Sequence, residues 1–262
     1  MNVFRLSLLS LVGIALFTTL LSSTGRTQEA TSQDANSSDA LNRLSTAFSG
    51  GHIVQSVQLS GNAVWHAGGE EDSGSVNLSA SVDGSSQVEL ILDRAGKRIE
   101  TQTGAGANAL CQWAGTDGVA HNASANNCLR PHLWFLPALW LQPALPANNL
   151  KTNDLGSGTV GSGAVVYRHL RSQFLLSGQQ DPITDDITQQ STTDLGLDTT
   201  SLLPAVLTYS VRPDSGAAIP VKIEIRYADY RVVDGAQIPF RIERYVNGAL
   251  QLDIFVTDAQ VR

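Results

Sequence analysis

The chain has 262 residues, of which 42% are apolar, and a formal net charge of -7 at pH 7. This length and this apolar fraction are sufficient for one large domain with a buried core. The balance of 17 basic against 24 acidic residues argues against a nucleic-acid partner and against attraction to anionic membranes by net charge.

The N-terminus has the pattern of a secretory signal peptide. Arg5 precedes an uncharged run from Leu6 to Leu21, and small residues lead up to Gly25. We predict a signal peptide over residues 1–25, and therefore a periplasmic or secreted protein that is not integral to a membrane after cleavage. An uncleaved anchor is the alternative, although the run is shorter than the ~20 residues of a spanning helix.

A polar leader and one helix are predicted next. Residues 26–37 contain almost nothing to bury, so they are expected to form a flexible leader. Ser38 can cap a helix from Asp39 to Phe48 that ends at Gly50-Gly51. We expect this helix to precede a single domain that occupies residues 38–262.

Four strands follow the predicted helix. Apolar and polar residues alternate with a period of two, and short turns such as Asp83-Gly84 separate the runs. This pattern predicts an antiparallel meander with strands at residues 57–65, 75–82, 87–93 and 98–103.

Two cysteines lie in a predicted insertion at about residues 104–150. In an exported protein, Cys111 and Cys128 are expected to form a disulfide. The alternative is a tetrahedral zinc site that also uses His121 and His132, although the spacing differs from that of common zinc modules. We predict the disulfide and no metal.

The most apolar part of the chain after the signal peptide is PHLWFLPALWLQPALP, from Pro131 to Pro146. Pro137 removes a helical hydrogen bond, which predicts two short helical pieces. The segment is either a plug that fills the core or a lid over an apolar cavity. As a lid, it would form a ligand-binding site with residues elsewhere in the chain: Trp65, Trp113, Trp134, Phe135, Trp140 and Leu141.

No catalytic or cofactor motif stands above background. Asp117 and His121 could serve as an acid/base pair, but such pairs occur in nearly any chain. The glycine-rich run from Gly156 to Gly161 matches a dinucleotide fingerprint, yet a strand rather than a helix is predicted over residues 164–171. We therefore predict no catalytic residue and no cofactor.

A polar loop is predicted at about residues 178–200. Five aspartates lie within it, and they could include calcium ligands, but a solvated acidic loop fits their spacing better. The aspartates are Asp181, Asp185, Asp186, Asp194 and Asp198.

The C-terminal region from Ile219 to Val261 has the strongest strand pattern. Asp234-Gly235 and Asn247-Gly248 are turn pairs between runs in which apolar and polar residues alternate. Three consecutive antiparallel strands with one apolar face are therefore predicted, and that face requires a covering element.

These C-terminal residues resemble the lipoprotein-carrier superfamily that includes LolA, LolB and RseB. The resemblance rests on Leu202-Leu203-Pro204 and on a series of motifs in the final strands: Ile223-Glu224-Ile225-Arg226-Tyr227, Asp229-Tyr230-Arg231, Asp234-Gly235, Ile238-Pro239-Phe240 and Asn247-Gly248. It implies a mainly β (α+β) fold, in which a curved antiparallel sheet forms an incomplete barrel with a hydrophobic cavity. The segments around Cys111 and Trp134 look instead like exported bacterial proteins without an assigned activity.

The function predicted from this resemblance is binding without catalysis. We expect an exported module that holds a lipid, or a lipidated or apolar partner, in a hydrophobic cavity. One alternative is an envelope sensor or interaction domain that docks another envelope protein. A secreted hydrolase with unidentified acid/base residues is the other.

Overall fold

The computed structural model describes residues 24–104, 109–123, 128, 134–142, 150–166, 168–174, 190–211 and 219–262. The described helices are α1 (Thr24–Ser49) and α2 (Pro137–Trp140). The described strands are β1 (Ser56–Ala67), β2 (Glu70–Ser81), β3 (Ser86–Leu92), β4 (Gly96–Thr103), β5 (Leu110–Ala114), β6 (Ala120–Asn122), β7 (Leu150–Asp154), β8 (Gly158–Val160), β9 (Ala164–Val166), β10 (Arg168–Phe174), β11 (Thr193–Leu197), β12 (Pro204–Val211), β13 (Val221–Val233), β14 (Ala236–Val246) and β15 (Ala249–Val261).

Thirteen of the described strands form one open antiparallel sheet. Their order is β6-β5-β4-β3-β2-β1-β15-β14-β13-β12-β11-β10-β7, and β8 pairs with β9 in a separate hairpin. The predicted mainly β fold with an incomplete barrel is therefore confirmed. The sheet joins two meanders at its centre, where β1 pairs with β15.

The C-terminal meander has the predicted strands and turns. Asp234 and Gly235 have φ angles of 48° and 85°, and Asn247 and Gly248 have φ angles of 49° and 84°. Two consecutive positive φ angles define the tight turns whose twist matches that of the strands they join. These short turns keep β13, β14 and β15 in antiparallel contact.

The N-terminal meander is also confirmed, with β1, β2 and β4 longer than predicted. Two of its glycines are required by the close approach of a neighbouring strand. A Cβ at Gly61 would lie 2.1 Å from the carbonyl oxygen of Phe255, and one at Gly74 would lie 2.0 Å from that of Ile91. At Gly61 the pairing of β1 with β15 also shifts register, as in a β-bulge.

The prediction of a flexible leader at residues 26–37 is wrong, because α1 extends through these residues. Ser38 therefore lies inside the helix and does not cap it. The physical reason is tertiary contact: the Asp154 backbone N–H donates to Ser37 Oγ at 2.9 Å and fixes the helix beside β7. The predicted signal peptide lies outside the described residues up to residue 23, and its predicted cleavage point falls at the start of α1.

The core lies on one face of the sheet, which we call the inner face. α1 contributes Ala40, Leu44 and Phe48 to it, and the segment around α2 contributes a second apolar group. The sheet residues in the same cluster alternate along their strands, as Ile238, Phe240 and Ile242 do on β14. One continuous core therefore joins both helices to the inner face.

The predicted polar loop at about residues 178–200 is wrong at Thr193–Leu197, which forms β11. Of its aspartates, Asp194 binds Arg171 and His169, and Asp198 accepts backbone N–H groups from Thr200 and Ser201. The hydrogen bonds from Ser201 and then Thr200 lower the pKa of Asp198. The other three aspartates lie outside the described residues, so the structure describes a role for two of the five.

Two further segments differ from the sequence expectation. Pro137 is the first residue of α2 rather than a break between two helices, and residues 134–136 before it and 141–142 after it are not helical. Residues 131–133 and 143–146 of the predicted helical pieces lie outside the described residues. The strand predicted at residues 164–171 corresponds to β9 and the start of β10, with residue 167 outside the described residues. Neither described helix is both long enough and apolar enough to cross a membrane.

Candidate functional site

The candidate site lies on the inner face, in one row of paired residues that crosses the sheet. Trp65 on β1 is opposite Leu252 on β15, and Leu252 is opposite Arg244 on β14. Arg244 is opposite Ile225 on β13. Because directly opposite residues of an antiparallel pair point to the same face, the row places a tryptophan and an arginine on the apolar side.

Residues 134–142, which include α2, cover part of this inner face, and we call them the covering segment. Its residues from Trp134 to Leu139 are buried, and Phe135 has an exposed fraction of 0%. A polar contact holds each end: the Tyr227 hydroxyl donates to the Trp134 carbonyl oxygen, and the side-chain amide of Gln142 bonds both backbone groups of Val54 at 2.9 and 3.0 Å. Between these two contacts, the buried residues of the segment pack into the apolar core.

Tyr227 is the anchor at the start of the covering segment. Burial of its phenol raises the pKa of Tyr227 well above its ordinary value of 10.0, and the nearby Tyr230 and Tyr209 act in the same direction. The hydroxyl therefore stays protonated and remains a hydrogen-bond donor at neutral pH.

Arg244 lies between two aromatic rings. Its guanidinium carbon is 5.5 Å from the ring centroid of Trp65 and 5.3 Å from that of Trp134. These are cation–π distances, and the indole is the best ring for such contacts. The predicted ligand-binding residues Trp65 and Trp134 are thus brought together through a residue that was not predicted.

One nitrogen of the Arg244 guanidinium, Nε, has no hydrogen-bond partner in the described part of the chain. This atom is buried, and Arg244 forms no ion pair among the described residues. An unsatisfied buried donor typically costs about 1–3 kcal/mol. Each of the six other arginines in the described strands has a carboxylate partner: Arg98, Arg168, Arg171, Arg226, Arg231 and Arg241.

Trp65 also borders a hollow of about 290 Å³. This volume is at the lower end of the roughly 300–1,000 Å³ that is typical of small-molecule sites. Aliphatic and cationic side chains form its wall together with Trp65: Leu90, Leu92, Ala95, Lys97, Arg98 and Thr116, with Gly96 and Gly115. The charges on the wall are paired, because Lys97 binds Glu89 and Arg98 binds Glu100.

The other predicted ligand-binding residues occupy different places. Phe135 meets the edge of Trp134 with the ring centroids 5.7 Å apart. Leu141 is buried in the core, and Trp140 is half-buried against it. Trp113 lies on β5, where it stacks on His121 at 4.4 Å and has Arg98 over its ring at 5.2 Å. Trp113 therefore joins the hollow only through Arg98.

The predicted disulfide is confirmed, because Cys111 and Cys128 are bonded to each other with their Cα atoms 5.5 Å apart. The zinc alternative is wrong, since both sulfurs that it needs are used in this bond. His132, its fourth ligand, lies outside the described residues. No group of three potential metal ligands occurs in the described ranges.

The two candidate acid/base residues both have structural contacts. The Asp117 carboxylate accepts the Val119 backbone N–H at 3.1 Å within a turn, and His121 is the residue that stacks on Trp113. The glycine-rich run forms β8 and its turn into β9, so it leads into a strand, as predicted, and not into the helix that a dinucleotide fingerprint requires.

A larger and more polar pocket of about 660 Å³ lies beside the β8–β9 hairpin. Its acidic residues have partners, because Glu224 binds Ser162 and Arg226 while Asp194 binds Arg171 and His169. The pocket therefore contains acids that already have structural partners.

Arg244 could have been found from the sequence by its position in the strand. Ile238, Phe240 and Ile242 point inward, and the next residue with the same parity is Arg244. A charge at an inward position of a strand is the signal that the pattern analysis missed.

Comparisons with known proteins establish the class of fold. No protein-family model matches the sequence, and no curated protein matches it. Solved structures do match: a protein described as an outer membrane lipoprotein-sorting protein domain from Vibrio parahaemolyticus is 12% identical, with a TM-score of 0.53 over 89% of this chain and 93% of that one.

Two further solved structures match most of this chain. A DUF1329 family protein from Desulfovibrio piger is 11% identical, with a TM-score of 0.51 over 86% of this chain and 92% of that one. A LolA superfamily protein from Nitrosomonas europaea is also 11% identical, with a TM-score of 0.51 over 86% and 93%. The predicted resemblance to the LolA superfamily is therefore confirmed for the fold.

Proposed function

We propose that this protein is an exported, non-catalytic binding module that holds an acyl chain, either of a lipid or of a lipidated protein, against the inner face of its sheet. The observation that carries the proposal is the hollow beside Trp65, a residue whose ring contacts Arg244 together with Trp134 of the covering segment. A guest in this hollow would contact Trp65 and the aliphatic side chains of Leu90 and Leu92.

The LolA-like fold supports this proposal, as one of the similar structures is described as a lipoprotein-sorting domain. The predicted signal peptide and the disulfide support export, because disulfides persist in oxidising compartments. We therefore propose a periplasmic or secreted location.

The alternative of an envelope sensor that docks another protein through its apolar segment is less well supported. Trp134, Phe135 and Leu139 are buried in the core, so they do not offer an exposed apolar surface. A protein partner is instead proposed to bind through its lipid chain.

The test is acyl-chain binding by the purified full-length mature protein. We expect mass spectrometry of organic extracts to detect co-purified acyl chains. Fluorescence titration is then done with a labelled long-chain fatty acid and with its methyl ester, and both are expected to bind. Trp65→Ala should weaken the binding of both probes, since it removes an aromatic wall of the hollow.

The matched control is Phe255→Ala, which removes an aromatic ring from the opposite face of the sheet. Phe255 is 40% exposed, and its loss should leave both affinities unchanged. A protein that co-purifies without acyl chains and takes up neither probe would overturn the proposed function.

A further inference from the structure

We propose that Arg244 is the binding group for the anionic head of an amphiphilic ligand, with a carboxylate or phosphate at the guanidinium and the acyl chain in the hollow beside Trp65. The inference rests on the proposed function and deepens it, because it names the chemical class of the ligand.

The first step is the unused binding capacity of Arg244. Its Nε is buried without a hydrogen-bond partner among the described residues, and no described carboxylate pairs with it. Guanidinium groups bind carboxylates and phosphates with two parallel hydrogen bonds, in which the donors are charged. An oxyanion would therefore satisfy both the charge and the orphan donor.

The second step is the position of the guanidinium. Trp65 and Trp134 hold it from two sides, at 5.5 and 5.3 Å, and its neighbours in the row, Leu252 and Ile225, have exposed fractions of 0%. An ion pair is stronger in such surroundings than at the surface, because water screens it less.

The third step is the link between the charge and the hollow. Trp65 contacts Arg244 with its ring and also forms part of the wall of the hollow. The other charges on this wall, Lys97 and Arg98, are already bound to Glu89 and Glu100. Among the described residues, Arg244 is therefore a cation without a carboxylate partner, and Trp65 links it to an apolar space. This combination matches a molecule with one anionic end and one apolar tail.

The experiment compares three variants with a labelled long-chain fatty acid, its uncharged methyl ester and an alkyl phosphate of similar length. The wild type should bind both anionic probes more tightly than the ester. Arg244→Gln should weaken the two anions by about 10- to 100-fold, as expected for loss of a hydrogen bond to a charged group, and leave the ester unchanged. Arg244→Lys should restore part of the preference, because it keeps the charge but not the planar fork.

The matched control is Arg241→Gln, on the same strand but on the outer face, where Arg241 binds Asp253 and Glu243. This variant should retain the preference for anions. Inorganic phosphate is added as a competitor. Displacement of the fatty acid at low phosphate concentration would show that the site recognises a free anion, and would overturn the proposal that the ligand is an amphiphile.

The outcomes separate this inference from the proposed function. Equal binding of acid and ester by the wild type, unchanged in Arg244→Gln, would overturn the inference and leave the acyl-binding function standing. Failure of every probe to bind the wild type would overturn both.

Discussion

The two faces of strand β14 differ in how their arginines are paired. On the outer face, Arg241 binds Glu243 and Asp253. On the inner face, Arg244 has two tryptophan rings and no carboxylate among the described residues. The inner face does not exclude ion pairs, because Arg168, which lies opposite the core residue Leu197, binds Asp154. The lack of a carboxylate partner is therefore a property of the position of Arg244.

This comparison separates structural from functional charge. Ion pairs at a solvated surface contribute little, with a median of about 0–1 kcal/mol, so they are compatible with a purely structural role. An unpaired cation in apolar surroundings is a cost to folding, and proteins commonly retain such costs at functional sites. The four predictions below test how far the two faces differ.

The largest difference is expected for aromatic truncation on the two faces. Phe135→Ala on the inner side should lower the free energy of unfolding by about 3–5 kcal/mol, because a fully buried ring is replaced by a cavity. Phe255→Ala on the outer face should lower it by only about 1 kcal/mol or less, since Phe255 is 40% exposed. Urea denaturation of both variants checks this, and equal losses would remove the distinction between the faces.

The second prediction concerns the disulfide near the β5 end of the sheet. Reduction of the Cys111–Cys128 bond should lower the free energy of unfolding by about 3 kcal/mol, through the greater chain entropy of the unfolded state. Urea midpoints with and without dithiothreitol measure the effect. A double variant, Cys111→Ala with Cys128→Ala, is the control and should not respond to dithiothreitol.

The third prediction concerns the anchor on the inner face. Tyr227→Phe should lower the free energy of unfolding by about 1–2 kcal/mol at pH 7, because the buried Trp134 carbonyl oxygen loses its hydrogen-bond donor. Burial raises the pKa of Tyr227 above 10.0 in the folded state. The tyrosine therefore stabilises the folded state fully at any pH below the pKa that its phenol has in the unfolded chain. As the pH rises beyond that pKa, the unfolded state ionises first and this stability is lost.

The difference between wild type and Tyr227→Phe should therefore shrink as the pH rises above 10. Urea denaturation at pH 7, 9 and 11 checks the trend. A difference that stays constant over this range would show that the phenol is not buried as a neutral donor.

The smallest effects are expected for acids on the outer face. Asp253→Asn should lower the free energy of unfolding by about 1 kcal/mol, because Asp253 is buried. The loss is limited because Arg241 keeps Glu243 as its second partner. Asp229→Asn should change the stability by less than about 0.5 kcal/mol, since Asp229 and Arg231 are both more than half exposed. Thermal unfolding of the two variants checks the order, and a larger loss for Asp229→Asn would contradict it.

Much of the fold could be predicted because the signals were local. The pairs Asp234-Gly235 and Asn247-Gly248 specify tight turns by their own backbone preferences, and the alternation on either side specifies which face is buried. The disulfide followed from two cysteines and the expected compartment. The extension of α1 over residues 26–37 could not be predicted, because its polar composition favours disorder and a distant contact from Ser37 opposes it.

The candidate site was only partly predictable for the same reason. Trp65, Trp134 and Phe135 were expected from their aromatic character, and the structure brings Trp65 and Trp134 together. Their meeting point is Arg244, on a strand far from both in sequence. Its environment depends on the register of three strands and on the covering segment, which no local pattern encodes.

The pairing of β1 with β15 has a consequence for how the molecule is assembled. Val57 lies opposite Val261, so the pair at the centre of the sheet joins the first and the last of the described strands. While a ribosome is still translating β15, the two meanders cannot join, and the inner face of each remains without its neighbour. Long-range pairing of this kind slows folding, so a newly made chain stays open, and accessible to chaperones, until β15 has been made.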